Sequence, residues 1–139
     1  ASVPSLTLAG SIALSVASSI KSSSASAGVG YATGAGGTVT QATSKATGVT
    51  LSKTCGVITM NAAALAAATS VGFTVTNTVV AATDVVLVSI ASGATAASYT
   101  LTVDAVAEGS FKLSLRNESA GALSEAVVIN FVVITGVNA

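Results

Sequence analysis

The stretch SYTLTVDAVAEGSFKLSLRNESAGALSEAVVINFVVI, Ser98 to Ile134, decides the fold class. Tyr99, Leu101, Val103 and Ala105 fall on one side of an extended chain; Thr100, Thr102 and Asp104 fall on the other. A period of two marks a strand with one buried face. Glu108-Gly109 then supplies a tight reversal. Beyond it Phe111, Leu113 and Leu115 point inward, while Lys112, Ser114 and Arg116 point outward. A longer loop, Asn117 to Ser124, leads into Ala126 to Ile134, which is apolar on both faces and carries Phe131 inward. An antiparallel strand needs only one apolar face. The second face therefore calls for cover from another sheet, a partner or the chain's own N-terminal segment.

Upstream, Val71, Phe73 and Val75 alternate with Gly72, Thr74 and Thr76 as another strand. DVVLVSI, Asp84 to Ile90, is nearly continuous in apolar residues and reads as a central strand. Shorter strands are predicted at Val39–Thr43, Gly48–Leu51 and Gly56–Met60. Asn61 stands before AAALAAA, where its side chain can cap one or two helical turns. About eight strands with turn signals every 8–12 residues or so indicate an all-β protein. The expected fold is a single β-sandwich, jelly-roll-like, with an immunoglobulin-like sandwich as the alternative.

The expected sandwich domain is 38–139, preceded over 1–37 by an extended N-terminal arm and a Gly/Ser-rich linker. In the arm Leu6 and Leu8, then Ile12, Leu14 and Val16, alternate at strand period. These five are the candidate partner-binding residues, adding a strand to the chain's own sheet or a neighbour's. The first twenty residues lack the basic start of a signal peptide, and Ala1 fits removal of an initiator Met. No apolar run approaches about 18 residues, so no transmembrane helix and no membrane partner are expected.

Composition narrows the function. Of 139 residues, 51% are hydrophobic but only 4% aromatic, so the core must be built from small and β-branched side chains. Charged residues make up 7%, against about 25% in an ordinary soluble domain. Mean hydropathy is +0.83. Either much of such a surface is covered in the working state, or Ser and Thr alone keep it wet. Net charge is zero and there is no basic cluster, so no nucleic-acid partner is expected.

The chain offers little chemistry. It has no histidine and no tryptophan. Cys55, its one cysteine, cannot form an internal disulfide; it reads as a passive turn or core thiol of a protein folded in a reducing cytosol. Asp84, Asp104, Glu108, Glu118 and Glu125 lack calcium-loop spacing and read as solvated turn carboxylates. The glycine run TGAGG lacks the Gly-Lys-Ser/Thr of a phosphate loop, and no G-x-S-x-G elbow occurs. Asn117-Glu118-Ser119 fits the N-glycosylation pattern. The expectation is a protein that is not an enzyme, with no catalytic residues, no metal and no cofactor.

Three strings carry a resemblance: TVTQATSKATGVTL (Thr38 to Leu51), GVITMNAAALAA (Gly56 to Ala67) and LRNESAGALSEAVVINFVV (Leu115 to Val133). They resemble a module of virion structural proteins of tailed bacteriophages, most of all the capsid cement, or decoration, proteins of short-tailed phages. The likeness lies beyond residue 37. It implies a non-enzymatic protein that binds the outer surface of a phage capsid and cements neighbouring capsid subunits. The implied partners are the major capsid protein and further copies of the chain, as a homodimer or other homo-oligomer on the shell. Synthesis in the host bacterial cytoplasm and residence on the capsid exterior follow from the same likeness, which supplies no catalytic residues. The alternative is a head or tail fibre, or an adhesin-like carbohydrate-binding sandwich module, with Tyr31 and Tyr99 as its aromatic candidates.

Overall fold

Glu108-Gly109 joins strands β6 (Tyr99–Ala107) and β7 (Ser110–Asn117) into a tight hairpin, with Gly109 at φ 76°. Glycine enters this left-handed region without the Cβ clash that other residues meet there. The computed structural model describes residues 17, 19–26 and 28–138. Two units divide at Gly30: Ala1–Gly30 and Tyr31–Ala139. The described residues of the first hold no strand and are exposed. Leu6, Leu8, Ile12, Leu14 and Val16 lie outside the described residues.

The second unit is an all-β sandwich of eight strands. The remaining six are β1 (Gly36–Thr40), β2 (Val49–Thr50), β3 (Cys55–Thr59), β4 (Ser70–Thr76), β5 (Val85–Ser92) and β8 (Val128–Ile134). One four-stranded sheet, sheet A, has the order β1-β3-β8-β5; the other, sheet B, has the order β2-β4-β7-β6. Every connection except the β6–β7 hairpin crosses from one sheet to the other. Frequent crossing is the habit of jelly rolls, but here β1 runs parallel to β3 and β2 parallel to β4.

Inward residues follow the alternation read from the sequence. Ile129, Phe131 and Val133 of β8 and Ile58 of β3 face Phe73 and Val75 of β4 and Phe111, Leu113 and Leu115 of β7. Phe111 and Phe131 meet across the two sheets with ring centroids 5.3 Å apart, tilted by 54°.

Four local expectations are corrected. The AAALAAA segment forms no helix, and none occurs among the described residues. Leu65 instead exchanges backbone hydrogen bonds with Leu123 at 2.9 and 3.0 Å, and the Asn117 amide takes the Leu65 and Ala66 carbonyls. A helix would need those carbonyls for itself, and so few residues do not repay nucleation. β1 begins inside the glycine run, at Gly36, and ends at Thr40, because bare backbone at Gly36 and Gly37 can lie against Cys55, Gly56 and the Leu51 side chain. In β6 the register slips between Val103 and Ala105, a bulge that leaves Asp104 as the extra residue. Ala105 consequently turns outward and Val106 takes the place opposite Phe111. Lastly, β5 is not central: it pairs with β8 alone and forms an edge of sheet A.

Candidate functional site

The outer faces of the two sheets differ in chemistry. On sheet B the outward positions are Thr74 and Thr76 of β4, Ser110, Lys112, Ser114 and Arg116 of β7, and Thr100 and Thr102 of β6. Arg116 pairs with Glu118 at 2.9 Å, and Asp104 accepts from the hydroxyls of Thr102 and Ser114. Those two hydroxyls hold the Asp104 carboxyl below its ordinary pKa. This is a solvated face.

Sheet A turns a different set outward. Register places Val85 beside Ile134, Leu87 beside Val132 and Cys55, and Ser89 beside Asn130 and Val57. Thr38, Thr40, Thr59 and Val128 also lie on this face. No charged side chain stands on it. Val85 keeps 52% of its surface exposed, Leu87 51% and Ile134 49%. Val57 and Val132 are partly covered by these neighbours. A contiguous apolar patch of this kind marks an interaction surface more often than scattered single residues do. The apolar second face of β8 is thus explained: the sandwich covers one side, and the other side forms the middle of this patch.

Cys55 lies on the same face, partly exposed at the start of β3, rather than in a turn or the core. Asp84 is buried, not solvated; its carboxylate accepts the Ala81 amide at 2.9 Å and the Gly136 amide at 3.0 Å, fastening the chain beyond β8 to the start of β5. Among the described residues no three His, Cys, Asp or Glu side chains cluster as metal ligands would.

Sequence reasoning missed a set of buried polar residues at the ends of the sandwich. Gln41 donates to the Lys45 and Thr47 carbonyls at 2.9 and 2.8 Å and accepts the Asn61 amide at 3.0 Å. Lys45, 3% exposed, donates to the Asn61 carbonyl at 2.6 Å and to that of Glu125. Burial lowers its pKa, against the attraction of the Glu125 carboxylate. Asn77 donates to the Lys53 carbonyl at 2.8 Å. Asn117 is fully buried, and its amide donates to the carbonyls of Leu65, Ala66 and Gly121. The apparent glycosylation site is therefore closed in the folded protein. No sequence signal separates such residues from ordinary turn Asn and Gln, because their burial depends on loops far apart in the chain.

Tyr99 carries a pH dependence. Burial, then the neighbouring Glu125 carboxylate, pushes its hydroxyl up from 10.0 to about 12, and that hydroxyl has no hydrogen bond of good geometry. The unfolded tyrosine ionises near 10.0 and the folded one near 12, so the neutral form favours folding. This contribution is complete below pH 10.0 and is lost as pH rises to about 12. Lys45 acts oppositely: the cost of its buried charge is relieved as pH climbs toward 10.5. Melting temperatures of the protein and of Tyr99→Phe, followed from neutral to pH 12, separate the two effects. The variant should lose less stability across the alkaline limb and match the parent at neutral pH; parallel curves would remove Tyr99 from this role.

Compared with protein-family models, with curated proteins and with solved structures, the chain matches none.

Proposed function

We propose that the outer face of sheet A is a docking surface and that the protein is a non-enzymatic virion structural protein. In this reading it binds the exterior of a phage capsid and cements neighbouring capsid subunits. One observation carries the reading: the three half-exposed residues Val85, Leu87 and Ile134 sit side by side on a face without charge. The resemblance of Thr38–Leu51, Gly56–Ala67 and Leu115–Val133 to tailed-phage virion modules supplies the partner, the major capsid protein. The carbohydrate-binding alternative has weaker support. Tyr99 packs against the core, and the hydroxyl of Tyr31 is already given to the Val133 carbonyl at 2.6 Å.

A charge-free contact depends weakly on salt, since it holds no ion pairs to screen. Each copy that binds only the assembled shell stabilises that shell by mass action. The test uses the protein with mature shells of its virion stripped of it. The protein should co-sediment with these shells at low and high salt alike and raise their rupture temperature. Ile134→Lys should weaken binding by about tenfold or more, since an ammonium would be stranded in an apolar contact. Binding abolished by moderate salt, or left intact by Ile134→Lys, would overturn the proposal.

A further inference from the structure

Each sheet has two edges, and the four differ in how far they are defended. β2 is two residues long, too short to template a partner strand. β6 carries the Asp104 bulge, which breaks its regular spacing and sets a carboxylate on the strand. β1 is five residues long and starts with two glycines, which pack no side chain against a neighbour. The fourth is β5, eight residues, VVLVSIAS, with no charge, no proline and no glycine; its register with β8 stays regular from Val85 to Ile90. Natural sheets protect exposed edges with charge, proline, bulges or brevity. β5 has none of these along its first six residues.

We infer that β5 is a self-association edge: two copies pair β5 with β5 in antiparallel sense, joining two copies of sheet A into one continuous sheet. Self-complementarity favours a second copy as the occupant, since the same neutral strand supplies both sides of the contact. Any strand laid here meets an edge without a single charged group, and β5 itself brings none to the contact. A two-fold axis through Leu87 keeps every side chain on its proper face, because residues directly opposite must share a side. That register sets Leu87 against its own copy and Val85 against Ser89, while Val86 meets Val88 on the inner face. The exposed Leu87 side chains thereby cover each other, which no register centred on Val86 or Val88 achieves. The patches of the two copies then lie on one side of a shared sheet. A contact of one strand from each copy falls below the roughly 1,200 Å² of stable complexes, so a weak, concentration-dependent dimer is expected.

The inference does not depend on capsid binding, and its test needs no capsid. Sedimentation velocity over a wide concentration range should show a reversible monomer–dimer equilibrium for the full chain. Leu87→Lys opposes two ammonium groups at the axis and should raise the dissociation constant at least tenfold. Since Leu87 is half exposed in the monomer, its melting temperature at low concentration should be unchanged. Ile134→Lys, one strand in from the edge, should leave the dimer in place. In a Cys55→Ser background, Leu87→Cys should form a disulfide dimer under mild oxidation. Directly opposed residues have Cα atoms about 4.5–5.5 Å apart, within disulfide reach. Ile134→Cys should not cross-link. A monomer at every concentration, a dimer indifferent to Leu87→Lys, or cross-linking at Ile134 rather than Leu87 would each overturn the inference.

Discussion

Phe111→Ala should cost about 3–5 kcal/mol of folding stability, and Phe131→Ala a similar amount. Both rings are nearly devoid of exposed surface, and they meet at 5.3 Å from opposite sheets, Phe111 on β7 and Phe131 on β8. With aromatics at 4% of the chain, few other side chains are large enough to span the gap between sheets. The surrounding Val, Leu and Ile side chains are held by their strands and cannot collapse far into the space a lost ring would leave. Phe131 also lies against the bare backbone of Gly56, where a Cβ would sit only 2.9 Å from the ring. Domains of this size have about 5–15 kcal/mol to lose, so either change removes a large part of it. Denaturant melts with an unchanged slope would measure the loss. A value below about 1 kcal/mol would show that the rings do not fill the core. The double variant should fall short of additivity by about 0.5–1.5 kcal/mol, the direct interaction of the rings.

Asn117→Ala should be comparably damaging, by a different mechanism. The side chain ties two loops to the end of β7: it donates to Leu65 and Ala66 in one loop and to Gly121 in the other, and its oxygen accepts the Ser119 amide at 2.9 Å and the Ser119 hydroxyl at 2.7 Å. Removing it leaves several groups without partners, and each that stays buried costs about 1–3 kcal/mol. A total near 3 kcal/mol is expected, concentrated in residues 61–68 and 117–125. Amide exchange should accelerate there before the strands are affected. Asn117→Asp retains the acceptor but loses the donor, and should rescue little. Exchange unchanged in both loops would show that they stand without this side chain.

Much of the architecture was legible because strands with one buried face announce it by alternation. β6, β7 and β8 could be placed from Ser98–Ile134 alone, with Phe111 and Phe131 facing inward. The candidate site was half legible. The second apolar face of β8 calls for a cover, and the structure leaves that face open, with Ile134 half exposed; the same pattern in β5 points the wrong way. DVVLVSI resembles a central strand because apolar residues on both faces ordinarily mean burial on both; in β5 the outward Val85 and Leu87 remain half exposed. Alternation also cannot see a bulge, so it puts Ala105 in the place that Val106 occupies. Helix propensity in AAALAAA lost to long-range demands on the Leu65 and Ala66 carbonyls. The buried roles of Lys45, Asp84 and Asn117 arise only when distant loops converge.

The crossing pattern of the sandwich has a consequence for how the chain is made. β8 follows the other seven described strands in the chain, yet it stands between β3 and β5 in sheet A. Until residues 128–134 leave the ribosome, β3 and β5 have no shared partner, and β5 offers both its edges to whatever lies nearby. The β6–β7 hairpin and its pairing with β4 lie wholly within residues 70–117, ahead of β8 in the chain. Pairing between segments so distant in sequence is slow to form, because loop closure precedes the contacts that reward it. A nascent chain stalled before Val128 would therefore expose the same neutral strand that the finished sandwich keeps at its edge, at the moment when neighbouring chains on a polysome are closest.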